Sequence, residues 1–84
     1  MTKSRDDGTL KKVGERVKTL RRLFGMSQAQ LAFEANTTEI QIRRIEKGKT
    51  NVCICLIQSI ADVFNLELKE FFDYDFLPQE ISKP

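Results

Sequence analysis

Between Thr38 and Lys47 stand the side chains in this sequence best suited to reading the edges of base pairs. A glutamine amide sets a donor beside an acceptor and matches the N6 and N7 edge of adenine, while an arginine forks two parallel N–H groups onto guanine O6 and N7. A glutamate accepts from cytosine N4, and an isoleucine packs on a thymine methyl. Thr38, Glu39, Ile40, Gln41 and Arg44 are therefore candidate base contacts. Each has a plainer use. Gln41 can be spent as a helix cap, Ile40 can pack on a neighbouring helix, Arg44 can hold phosphate without reading a base, and Glu39 can serve only to reject some sequences. Arg43, Lys47, Lys49 and Asn51 are candidate phosphate contacts, or else an ordinary solvated surface.

The charge along the chain is uneven. Leu10 to Asn51 holds ten basic residues against four acidic ones, a local charge of +6, whereas Val52 onward holds two against six, a charge of −4. Such a division fits a basic surface for a polyanion and an acidic end with another task, or simply two solvated faces. There is no histidine, and the only cysteines are Cys53 and Cys55. A structural zinc site wants four Cys or His ligands, and a nucleophilic cysteine wants a histidine base, so neither a metal site nor thiol catalysis is expected. Reduced thiols, buried or lining a helix start, are expected instead. Paired carboxylates in a cleft and a phosphate-binding glycine loop are likewise missing from the pattern, so an enzyme is not expected and neither is a cofactor or a small-molecule substrate.

Eighty-four residues suffice for one domain, and 40% hydrophobic with 31% charged residues is the balance of a soluble globular chain. No apolar run approaches the roughly 18 residues that span a bilayer, and Met1 to Gly8 is polar, so a cytoplasmic protein without a membrane partner is expected.

The elements that must position these side chains follow from periodicity. Leu10, Val13, Val17, Leu20 and Phe24 share one helical face, with Arg16, Lys18 and Arg22 expected to point elsewhere, and Gly25 supplies a stop. Ser27 with Gln30, and Thr38 with Gln41, repeat the S/T-x-x-Q spacing in which side chains and backbone N–H groups cap a helix start reciprocally. Asn36 tolerates the left-handed turn between them, and Gly48 closes the second helix of the pair. Two short helices joined by a tight turn are a helix-turn-helix. Ile54, Ile57, Ile60, Ala61 and Phe64 mark a fourth helix ended by Asn65, and Leu68 to Phe72 a short fifth. The expected fold is all-α, five helices around one core, spanning residues 10–76 between a flexible lead (1–9) and a flexible tail (77–84).

Val13-Gly-Glu-Arg-Val-Lys-Thr-Leu-Arg-Arg-Leu-Phe-Gly-Met-Ser-Gln-Ala-Gln-Leu-Ala, followed by Ile42-Arg-Arg-Ile-Glu-Lys-Gly-Lys, resembles the Cro/C1-type (XRE-like) helix-turn-helix regulators, whose domain is lambda-repressor-like. The resemblance covers residues 10 to 72. It implies that the third helix lies in the major groove of double-stranded DNA, that Gln28 bonds the DNA backbone beside a helix start, and that Arg21 and Glu46 form a partly buried ion pair of the scaffold. It also implies a homodimer on a palindromic operator, with the acidic, aromatic end supplying the interface. Phe64, Leu68 and Phe71 are expected to complete the monomer core, which leaves Phe72, Tyr74 and Phe76 as dimer candidates. Phe33 departs from the family, standing where a polar residue is usual, and Cys53 replaces the usual Ser or Thr cap of helix four. A restriction-modification controller or a phage-type repressor fits this pattern. An autorepressing antitoxin, or an interaction adaptor that has lost DNA binding, remains open.

Overall fold

The structure, a computed structural model, describes residues 7–78. It is all-helical over that range, with α1 (Asp7–Leu23), α2 (Gln28–Glu34), α3 (Glu39–Glu46), α4 (Ile54–Val63) and α5 (Leu68–Phe71). Helix α1 opens three residues before the expected Leu10, so Asp7 to Thr9, assigned above to a flexible lead, form its first turn. An acidic residue at that end complements the partial positive charge of the exposed N–H groups. Of the proposed tail, only Leu77 and Pro78 lie within the described residues.

The starts of α2 and α3 are capped by hydroxyls. Ser27 Oγ accepts from the Gln30 N–H (3.0 Å) and Thr38 Oγ1 from the Gln41 N–H (3.1 Å), which is the hydroxyl half of each expected pair. Cys53 occupies the corresponding place before α4 and makes no side-chain cap bond, as a thiol's weak acceptor strength leads one to expect. Both cysteines are exposed at the start of α4, so of the two placements expected, buried or lining a helix start, the second holds. The helix start they flank faces solvent rather than the core.

Four helices end in the same way. Gly25, Asn36, Gly48 and Asn65 have φ of 69, 63, 71 and 62°, the left-handed turn that swings two N–H groups back onto the last carbonyls. Behind α1 the Gly25 N–H donates to Arg22 O and the Met26 N–H to Arg21 O, both 3.0 Å, and the same pair of bonds recurs behind α2, α3 and α4.

One core receives the inner face of every helix. Val17, Leu20, Leu31, Ile42, Ile45, Ile60, Phe64 and Phe71 are fully enclosed there. Phe24 closes over it with its ring centroid 5.0 Å from that of Phe64. Burying each large apolar side chain contributes about 1.5–3 kcal/mol, so this core holds together helices too short to persist alone.

Gly14 sets how closely α1 approaches the end of α3. A Cβ at this position would collide with the Ile45 carbonyl oxygen and lie 2.9 Å from that of Glu46. These are backbone atoms that cannot rotate aside. Gly14→Ala should therefore destabilise the fold by about 1–3 kcal/mol, despite alanine's better helix propensity. A thermal melt followed by circular dichroism checks this, and an unchanged or raised midpoint would mean that the two helices have room to spare.

Candidate nucleic-acid interface

Three helices converge on one carboxylate. Glu46, in the last turn of α3, accepts from Arg21 of α1 through Nε to Oε2 (2.7 Å) and through Nη2 to Oε1 (3.0 Å). Gln28, the first residue of α2, donates its Nε2 to the same Oε1 at 3.0 Å. Arg21 adds Nη1 to the Met26 carbonyl (2.9 Å), tying down the link between α1 and α2. The two charged side chains are 12% and 2% exposed, so their charges are largely withdrawn from water and satisfied by each other. Hydrogen bonding to Glu46 raises the Arg21 pKa above the ordinary arginine value, the opposing desolvation being smaller. A cation whose pKa rises on folding stabilises the fold below its unfolded value, so this contribution is present at neutral pH and fades only as pH climbs through the raised value.

That anchoring turns the other face of α3 outward. Ile42, Ile45 and Glu46 are buried, whereas Thr38, Glu39, Ile40, Arg43, Arg44 and Lys47 are exposed and Gln41 is half-buried. Ile40 is 58% exposed and is not packed on a neighbouring helix. The bond that caps α3 uses the Gln41 main-chain N–H, which leaves the side-chain amide for another partner. Glu39 Oε2 lies 3.2 Å from Arg43 Nη2 one turn along the helix, so the acidic charge at the reading end is offset locally. Ile40, Arg43, Arg44, Lys47, Lys49 and Thr50 line a shallow hollow of about 340 Å³. Four cations around one hollow make a surface that attracts a polyanion. Asn51 is exposed beside it, and Gln28, held by Glu46 through one amide hydrogen, keeps a second for a ligand.

Arg16 does not belong to that basic surface. It was expected to point outward with Lys18 and Arg22, yet it is 3% exposed. Its Nε donates to Phe71 O (2.6 Å), Nη2 to Glu70 O (2.7 Å) and Nη1 to Phe76 O (2.8 Å). Desolvation lowers its pKa, and the nearby Asp73 and Tyr74 act in the opposite sense. The three acceptors are main-chain carbonyls, which any residue type supplies, so sequence patterning carries no sign of them. Phe72, Tyr74 and Phe76 are exposed on the segment that Arg16 holds, while Phe64 and Phe71 are in the core and Leu68 packs against it. Phe33 is 83% exposed on α2, as its departure from the family's polar residue leads one to expect.

Removing the Glu46 carboxylate would strand a largely buried arginine. Glu46→Ala should cost about 3–5 kcal/mol in urea unfolding, the range for breaking one side of a buried pair. A loss below about 1 kcal/mol would place the pair among surface ion pairs of little worth.

A helix-turn-helix family model (HTH_3) matches residues 17–71, from the middle of α1 to the end of α5. An uncharacterized HTH-type transcriptional regulator of Archaeoglobus fulgidus is 35% identical over 60 residues, 71% of this chain and 86% of its own. One from Sinorhizobium medicae is 34% identical over 61 residues, which cover 73% of this chain and 44% of that protein. The chain thus spans less than half the length of that relative. The crystal structure of the restriction-modification controller protein C.AhdI from Aeromonas hydrophila matches with a TM-score of 0.74 at 32% identity, over 77% of this chain and 98% of that one. Family match, relatives and fold agree, and the chain belongs to the helix-turn-helix family of the Cro/C1 (XRE) type.

Proposed function

We propose that the protein is a transcriptional regulator that binds a palindromic operator as a homodimer, without catalysis, and that it controls a restriction-modification operon. The observation that carries this reading is the outward face of α3, where an exposed isoleucine and four cations line one hollow and the Gln41 side-chain amide is not used by the helix cap. Gln41 and Ile40 match the chemistry of adenine and thymine edges, and Arg44 that of guanine. Thr38 and Glu39 flank them at the helix start. Arg43, Lys47, Lys49, Asn51 and Gln28 surround that face and suit phosphates, whose contacts set register and supply salt-dependent affinity.

A domain with one reading helix of eight residues has few base contacts to offer. Two copies related by a two-fold axis double them and place the reading helices about 34 Å apart on successive major-groove faces. The exposed Phe72, Tyr74 and Phe76 supply the meeting face. Likeness to a solved controller protein favours that role over a phage-type repressor or an antitoxin.

Selection from a random duplex pool tests the reading and should return inverted half-sites one helical turn apart. Against the selected site, Arg44→Ala should weaken binding by about 1–3 kcal/mol and relax preference at one base pair. Equal loss on selected and random DNA would make Arg44 a phosphate contact, and a pool that returns no consensus would overturn sequence-specific binding.

A further inference from the structure

Among the described residues after α5, 72–78, there is no helix or strand, yet the segment exposes four apolar side chains, Phe72, Tyr74, Phe76 and Leu77, in six residues. Its own bonds are few, chiefly Phe76 N–H to Asp73 O (2.9 Å) and Asp75 N–H to Asp73 Oδ1 (3.3 Å). Phe72 stands edge-on to the buried Phe71 ring at 5.1 Å. Beyond it the segment is fastened by the Arg16 guanidinium, which grips the main chain on both sides of residues 72–75, at Glu70 and Phe71 before them and at Phe76 after them.

We infer that Arg16 is the positioning residue of the self-association face, its three bonds to main-chain carbonyls holding the segment 72–77 in the shape onto which a second copy docks. The inference rests on the homodimer reading and adds the residue on which that dimer depends. A loose segment would have to be ordered at each encounter, and the entropy lost would weaken association. A segment already pinned avoids that loss. A second copy suits the face, because its exposed aromatic side chains can pack on their own counterparts across a two-fold axis. DNA does not suit it, since Asp73 and Asp75 lie among these side chains and the chain from Val52 onward carries −4.

The position of the clamp also matters to the reading helix. Arg16 and Arg21 lie five residues apart on α1, a rise of about 7.5 Å. One rigid helix therefore carries both the hold on the docking segment and the ion pair that orients α3. The distance between the two reading helices of a dimer is set through it.

The chain has one tyrosine and no tryptophan, so its ultraviolet emission reports directly on Tyr74 within the segment. In the full-length protein, Arg16→Gln should raise the dimer dissociation constant in sedimentation about tenfold or more, the equivalent of one charge-assisted hydrogen bond lost. Iodide quenching of Tyr74 should rise towards that of free tyrosine. Helical circular dichroism and binding of a monomeric protomer to random-sequence duplex should stay as in the wild type. Arg16→Lys, which keeps the charge without the fork, should fall between the two on both readouts. Should Arg16→Gln fail to fold, Arg16→Lys decides, intermediate dissociation and quenching with intact helicity being the supporting result. Unchanged dissociation and quenching would overturn the inference, and so would a parallel loss of helicity, duplex binding and dimer in both variants. A wild-type protein that stays monomeric at every concentration would overturn the homodimer reading itself.

Discussion

The carboxylate of Glu46 governs the arrangement of the functional surface. It closes the C-terminal turn of α3, receives the fork of Arg21 from α1, and holds Gln28 at the start of α2. Apolar packing already turns Ile42 and Ile45 of α3 inward, but burial alone is non-directional and leaves the angle loosely set. A bidentate guanidinium–carboxylate contact is directional and fixes it. With Glu46 turned inward, helical periodicity obliges Ile40, Gln41, Arg43, Arg44 and Lys47 to look out or along the rim. The close approach at Gly14 serves the same end, since it brings α1 against the carbonyls of Ile45 and Glu46 and lets the side chain of Arg21 reach its partner.

Electrostatics divide the molecule into two working parts. Within the basic half, Arg16 and Arg21 are spent internally, so the charge offered to a ligand is carried by the lysines of α1, Arg22 and the cluster around α3. That cluster is concentrated about an open hollow of about 340 Å³, suited to sitting against a polyanion. The acidic half carries the exposed aromatic segment and is kept away from such a ligand by its own charge. On the proposed reading, one chain offers a surface for DNA and another for a second copy, joined by the rod of α1.

Features that depend on local backbone chemistry were legible in the sequence. The hydroxyls of Ser27 and Thr38 cap where their spacing from glutamine indicates, and glycine or asparagine stands at each of four left-handed stops. The apolar faces needed only a period of 3.6 residues. The outward side chains of α3 were legible by type, because the same groups that suit base edges are costly to bury. Less visible were contacts whose partners lie far apart in the chain. Arg21 and Glu46, 25 residues apart, were paired only through family resemblance. Arg16 was misplaced because its acceptors, 54 to 60 residues away, are main-chain oxygens with no signature in side-chain type. For the cysteines the sequence left two placements open, buried or lining a helix start, and the second is the one found, at a start of α4 that faces water.

The central claim is that α3 and its ring of cations meet the phosphates of duplex DNA, and the salt dependence of binding tests it most directly. With Arg43, Arg44, Lys47 and Lys49 at the interface, the logarithm of the association constant should fall linearly with the logarithm of salt concentration. The expected slope is about −0.9 for each phosphate neutralised, hence about −3 or steeper per protomer. A slope near zero, or affinity for duplex DNA too weak to measure at low salt, would contradict the claim.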